Sequence, residues 1–255
     1  MDRPETTRPS TAENRIAIEP SARRLRVIFN GKTIADSLST LLLREKGHMP
    51  VYYVPRQDVR LDLLERTNHR THCPYKGDAS YWTLAVGGRR AENAVWSYEA
   101  PIPQSAPIKE HLAFYWNKVD HWFEEDEEIF GHPRDPYHRV DVIPSSRRVR
   151  VVVGGETVAE TRRALFLFET GLPTRYYIPP QDVRMDLLTP TKTSSICPYK
   201  GAASYWLLAL GDRRVEDIAW AYLDPLPECP RIKGHLSFYP DRVDRIEVEG
   251  ETPAA

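Results

Sequence analysis

Along this chain apolar and polar residues alternate in short runs broken by Gly, Pro and charged residues, the pattern of a β protein built from many small strands. Arg24 to Phe29 reads Arg-Leu-Arg-Val-Ile-Phe, and Asn30-Gly31 supplies the two positive-φ positions of a type I′ turn before Lys32 to Asp36. That predicts a hairpin, and Gly154-Gly155 predicts another. Val51 to Val54, Ser80 to Val86, Ala94 to Tyr98 and His111 to Tyr115 are short and rich in aromatic or β-branched residues, so they too are expected as strands. Asp58 to Leu64 places apolar residues at 59, 61, 63 and 64 behind an aspartate able to cap, which predicts one or two turns of helix. Alternation also assigns faces: Trp82, Leu84 and Val86 point one way with Leu112 and Phe114, whereas Tyr81, Thr83, Ala85, His111, Ala113 and Tyr115 point the other. The first set is a core face. The second has the composition of a pocket lining or a half-wet surface.

The pattern occurs twice. The pentapeptide Cys-Pro-Tyr-Lys-Gly stands at 73 to 77 and again at 197 to 201, and at that offset of 124 (197 − 73) Pro20 to Asp120 aligns with Pro144 to Asp244 without a gap, about half of the positions being identical. A repeat of this length is a duplicated domain, not a solenoid unit. The expected organisation is a disordered tail over 1–15, a first domain over 16–120, an acidic and proline-containing linker over 121–143, a second domain over 144–248 and a disordered tail over 249–255. The acidic run of the linker is expected to be a solvated face or, failing that, a docking strip for arginines of the neighbouring domain.

Bulk composition narrows the function classes. Apolar residues make up 41% and charged residues 28% of the 255 residues, an ordinary globular balance. Lys and Arg number 35 against 36 Asp and Glu, so no global field favours nucleic acid or an anionic membrane. No stretch approaches the roughly 18 apolar residues of a membrane helix, and the expected location is the cytoplasm. Three cysteines, none in a Cys-x-x-Cys pair, suggest a reducing compartment and argue against a thiolate zinc site. His121, His132 and His138 are too irregularly spaced for a metal centre, and no cofactor is expected.

Candidate chemistry gathers around the repeated pentapeptide. Cys73 and Cys197 are each a buried structural thiol, a nucleophile activated by the neighbouring lysine, or a pocket wall. Lys76 and Lys200 are surface lysines or hold an anionic group. In the Gln-Asp-Val-Arg segments Asp58 and Asp182 are expected to cap a helix, leaving Arg60 and Arg184 either to grip an anionic ligand in bidentate fashion or to pair with a neighbouring carboxylate. Tyr53, Tyr81, Trp82, Trp96, Tyr98 and Tyr115, with their counterparts Tyr177, Tyr205, Trp206, Trp220, Tyr222 and Tyr239, are core aromatics or a stacking platform for a planar ligand. His111 and His235 are structural strand histidines or would suit a general base or a hydrogen-bond donor. No nucleotide-cradling glycine motif and no hydrolase signature is present.

The combination Tyr-Tyr-x-Pro-x-Gln-Asp-Val-Arg, then Cys-Pro-Tyr-Lys-Gly-x-Ala-Ser-Tyr-Trp, then Ile-Lys-x-His-Leu-x-Phe-Tyr resembles the family catalogued as domain of unknown function 427, over nearly all of each repeat. The resemblance implies a mainly β fold of the β-tent, Mss4-like kind, with two sheets leaning around a cleft. Zinc is not carried over, because the Cys-x-x-Cys pairs that hold it in such folds are missing here. A nucleotidyltransferase-like label attached to the family implies an enzyme, but no clustered acidic pair suited to metal-dependent phosphoryl transfer is visible. The expectation is a protein binding a small planar or anionic metabolite in an aromatic cleft near Cys-Pro-Tyr-Lys-Gly; the alternatives are a cysteine-dependent or nucleotidyltransferase-like enzyme and a protein interaction module.

Overall fold

A computed structural model describes residues 16–250, which form two compact, mainly β units dividing between Pro133 and Arg134. The expected N-terminal tail, and all of the C-terminal one beyond Gly250, lie outside the described residues.

The first unit contains eleven strands: β1 Ile16–Pro20, β2 Leu25–Phe29, β3 Lys32–Ser37, β4 Leu41–Glu45, β5 Val51–Pro55, β6 Leu64–Cys73, β7 Gly77–Val86, β8 Arg89–Ser97, β9 His111–Phe114, β10 His121–Glu124 and β11 Glu127–Ile129. Seven make one antiparallel sheet in the order β1-β4-β5-β9-β8-β7-β6, and four make a smaller one in the order β11-β10-β2-β3. Asn30 and Gly31 both have positive φ, as the β2–β3 hairpin turn requires.

Each face of the large sheet carries its own cluster of buried residues. One packs on the small sheet, where Trp82, Leu84, Leu112 and Phe114 meet Leu25, Val27 and Phe29. The other carries Leu43, Tyr53, Ala79, Tyr81, Tyr98 and Ala113, with Cys73 and Trp96 at its margin. Strand β5 shows how alternation divides the two: Tyr52 and Val54 belong to the first cluster and Tyr53 to the second.

The second unit follows the same strand order from Val140–Ser145 to Arg245–Val248, except that among the described residues its small sheet has three strands and no counterpart of β11. One pairing of the large sheet narrows there to a single bridge, Ile178 with Leu236, at the place where Val54 pairs with Leu112 in the first unit.

Three sequence expectations need correction. Asp58 to Leu64 forms two separate 3₁₀ turns, Arg56–Asp58 and Leu61–Leu63, instead of an α-helix. Neither Asp58 nor Asp182 caps a helix. Asp58 accepts a hydrogen bond from Ser37 Oγ at 2.6 Å, and Asp182 accepts from Thr161 Oγ1 at 2.6 Å and from Arg163. The acidic run is not a linker, since Glu124 ends β10 and β11 follows within the same sheet; Glu125, Asp126 and Glu127 are exposed as expected, but Glu124 is only 7% exposed. Buried Glu124 needs donors, and it receives the Tyr52 hydroxyl at 2.7 Å and the Arg23 guanidinium.

The acidic run is therefore unequal in energy. Replacing Glu124 by Ala strands the Tyr52 hydroxyl and should destabilise the first unit by about 1–3 kcal/mol. Asp126→Ala, at a bridge to Arg26 whose carboxylate is 97% exposed, should stay within about 0.5 kcal/mol of the parent in urea denaturation.

Candidate functional site

Cys73 and Gly77 face each other as the last pair of the β6–β7 ladder, so Cys-Pro-Tyr-Lys-Gly is the turn of a hairpin. The Lys76 amide donates to the Cys73 carbonyl, and the Lys76 carbonyl accepts from the Ile102 amide at 3.1 Å. Gly77 is needed at its position: φ is +101°, and a Cβ there would lie 3.3 Å from the Ala100 carbonyl oxygen. Ser105 Oγ donates to the Tyr75 carbonyl at 2.7 Å and holds the outer side of the turn.

With the backbone so held, the Lys76 side chain runs inward. Only 11% exposed, it donates from Nζ to Glu45 Oε2 at 2.5 Å, and the Glu45 side chain is 9% exposed. Glu45 is the last residue of β4, so the pair joins the turn to the far side of the sheet. The second unit repeats it with Lys200 and Glu169, again at 2.5 Å. Burial alone would raise the Glu169 carboxyl, but hydrogen bonds from Lys200 and His138 outweigh it and hold this acid below its usual range.

In front of the first pair opens a cleft of about 640 Å³. Its walls are mostly aromatic: Tyr53, Tyr81, Trp96, Tyr98 and Tyr115 on the outer face of the large sheet, and Trp116 and Trp122 stacked with ring centroids 4.5 Å apart. Trp96 meets Tyr115 at 4.6 Å and stands edge-on to Tyr53, whose hydroxyl accepts from the Trp96 indole at 3.4 Å. Tyr81 shares a 2.8 Å hydrogen bond with Thr71 Oγ1. Burial, with Tyr81 alongside, pushes the Tyr115 phenol up to about 12, and burial raises those of Tyr53 and Tyr98 further, so all three hydroxyls stay protonated at physiological pH.

Of the residues singled out in sequence, Cys73, Lys76, Tyr53, Tyr81, Trp96 and Tyr115 line this one cleft. Their counterparts Tyr177, Tyr205 and Trp220 cluster in the second unit, with Cys197 and Tyr239 against them and the Lys200–Glu169 pair at the turn. Three pairs lie elsewhere. Trp82 and Trp206 belong to the cores on the opposite sheet face. Arg60 and Arg184 are exposed and bound in a two-pronged pair to Asp62 and Asp186 two residues on, which leaves neither fork for a ligand in the cleft. His111 and His235 sit outside the cleft lining, with Nδ1 against the carbonyls of Lys109 and Lys233. Lys76 and Lys200 are neither surface lysines nor free cations. Pattern analysis missed Glu45, Trp116 and Trp122, whereas Tyr98, one of the aromatics it singled out, also lines the cleft. For Glu45 a signal existed, since the 124-residue offset carries Glu onto Glu169.

The two copies differ at this place. His72 becomes Ile196, and the Trp116–Trp122 stack becomes Pro240 and Ile246. In the second unit the segment leading into Val140–Ser145 lies over the turn: His138 stacks on Tyr199 at 4.2 Å and its Nε2 is 2.9 Å from Glu169 Oε1, while the Asp135 amide donates to the Tyr199 hydroxyl. Arg134 reaches the Pro198 carbonyl and Glu228. Cys229, where the first unit has Ser105, is buried, and burial raises its thiol to about 11, which keeps it protonated and unreactive.

A family described as "Domain of unknown function (DUF427)" matches twice, over residues 17–125 and 141–249. No curated protein matches the chain.

Breaking the buried pair from one side should be costly. Lys76→Met should destabilise the first unit by about 3–5 kcal/mol, and adding Glu45→Leu should recover most of that loss, as a double-mutant cycle in urea would read. The depressed carboxyl of Glu169 stabilises the second unit fully above its ordinary value of 4.5, and this contribution is lost as pH falls through the lower folded value. His138→Ala removes one of the hydrogen bonds responsible, so the Glu169 carboxyl resonance should titrate at higher pH in the variant.

Proposed function

The chain belongs to the DUF427 family, whose description names no activity, and from its geometry we propose that it is a small-molecule binding protein whose site is the aromatic cleft of the first unit. The observation that carries this is the combination of size and lining. At about 640 Å³ the cleft lies within the range of small-ligand sites, and its walls are tyrosine and tryptophan faces with a few polar groups at the base. Aromatic walls held by T-shaped and stacked contacts are pre-organised, so a flat ligand is bound without first ordering the site. The hairpin turn shapes the mouth and supplies the lysine that neutralises Glu45.

Binding is favoured over thiol catalysis by the surroundings of Cys73. A nucleophilic thiol needs a base or a free cation beside it. Among the described residues no hydrogen bond joins Cys73 to a base, and the nearby lysine is committed to Glu45. Binding belongs to the first copy. In the second, His138 and the segment from Arg134 already contact Glu169, Tyr199 and Pro198, and two of the aromatic walls are gone.

One site per chain is the expected stoichiometry. In a thermal-shift screen of planar aromatic compounds against the full chain, a ligand at 100 times its dissociation constant should add about 2.7 kcal/mol to the first unit. Trp96→Leu should abolish that shift and Trp220→Leu should leave it intact. Stabilisation that survives Trp96→Leu, or none with any compound, would sink the proposal.

A further inference from the structure

The second unit keeps the aromatic platform of the first. Tyr177 and Trp220 stand edge-on at 6.3 Å and 84°, as Tyr53 and Trp96 do at 6.5 Å and 84°. Trp220 meets Tyr239 at 4.3 Å and 42°, against 4.6 Å and 44° for Trp96 and Tyr115. The stacked tryptophans are replaced by Pro240 and Ile246, so one aromatic platform remains where the first unit has two.

What differs most is access. In the first unit Glu45, Pro74 and Tyr75 line the open cleft. Their counterparts Glu169, Pro198 and Tyr199 are the residues on which the segment 134–139 lies. His138 Nε2 is 2.9 Å from Glu169 Oε1 and its ring stacks on Tyr199, the Asp135 amide donates to the Tyr199 hydroxyl at 2.8 Å, and Arg134 Nε donates to the Pro198 carbonyl at 2.9 Å. Arg175, where the first unit has Val51, places its guanidinium 5.7 Å from the Trp220 ring. Trp220 is 7% exposed, whereas Trp96 is half-buried.

The segment is held in a way that lets it leave. Residues 134–139 form neither strand nor helix, none is fully buried, and none adds a side chain to the apolar clusters of the unit. It rests on polar contacts and ring stacking, each of small net worth against water, so lifting it costs far less than opening the sheet. Arg139 and Thr170 bond to each other where the segment enters the sheet, which makes a natural hinge.

Resting on the first cleft being a ligand site, we infer that the second unit holds a covered site for the same class of flat aromatic ligand, on the Tyr177–Trp220–Tyr239 platform, and that residues 134–139 are a strap over it that the ligand displaces. A site whose open form is the minor one binds with an affinity reduced by the open fraction, so the covered copy fills only well above the concentrations that fill the first.

The test titrates quinoline, a flat neutral bicyclic, into the full chain and follows the indole N–H resonances of Trp96 and Trp220, assigned with Trp96→Phe and Trp220→Phe. In the parent, Trp220 should respond only at concentrations roughly tenfold or more above those that move Trp96. Arg134→Ala with His138→Ala, which leaves the Lys200–Glu169 pair in place, should bring the Trp220 response down by roughly tenfold and leave that of Trp96 unchanged. Arg175→Val alone should not; if it opens the site as fully, the strap is not its cover and the inference is overturned. A second readout needs no variant to fold: the Asp135 amide exchanges with solvent when the strap lifts, so quinoline at the higher concentration should speed its exchange in the parent by at least about twofold. Trp220 responding together with Trp96 in the parent, an unchanged Trp220 response in the double variant, or an Asp135 amide that exchanges no faster would each overturn the covered site and leave the first cleft a ligand site. If quinoline moves neither indole in parent or variant, the binding function of the first cleft fails, and the inference with it.

Discussion

An ammonium cannot be taken from water without a counter-charge, and around that constraint the first unit is arranged. Lys76 points inward because its backbone is held in a tight turn; once inside, it requires Glu45, and Glu45 is available only if β4 ends level with the β6–β7 turn. The pair therefore sets the relative placement of two strands at opposite sides of a seven-stranded sheet. It gives the cleft a base that is polar in structure and neutral in charge, and the aromatic side chains of β5, β7, β8 and β9 can then approach without meeting an unbalanced field.

Much of the strand architecture was legible because its signals are local. Asn30-Gly31 carries the positive φ angles that its position implies, and the alternation in Ser80 to Val86 sends Trp82 and Tyr81 to opposite faces as expected. Strand β6 was not legible: Leu-Glu-Arg-Thr-Asn-His-Arg-Thr-His-Cys has neither an apolar period nor β-branched enrichment, and forms a strand because β7 offers it a ladder. The 3₁₀ turns after Pro55 read as helix because apolar spacing over so few residues does not distinguish one helical type from another. Within the acidic run only the burial of Glu124 was not legible, because it depends on Arg23 and Tyr52, which lie 101 and 72 residues away.

The candidate site was half legible for the same reason. Sequence found the turn and most of the aromatic walls, since these repeat at one offset. It misjudged Lys76, because a lysine in a hydrophilic turn has no local mark of burial, and the mark lies in Glu45, 31 residues earlier. It also placed Arg60 and His111 in the site, whereas short-range partners, Asp62 and the Lys109 carbonyl, occupy them. Duplication alone did not guarantee equal function: the Lys–Glu pair and the tyrosine–tryptophan contact persist in both units, while the stacked tryptophans occur in one and the histidine cover in the other.

Strand β6 closes one side of the large sheet, and nothing pairs with its outer edge within that sheet. Its ten residues include Glu65, Arg66, Arg70 and two histidines, and its ladder to β7 is interrupted between Arg66 and Arg70. A long, flat, apolar border would offer a template on which other chains could add strands and grow into fibres. Charge and irregularity along β6 withhold that template. The stretch of sequence with the weakest β signal thereby protects the border of the large sheet from self-association.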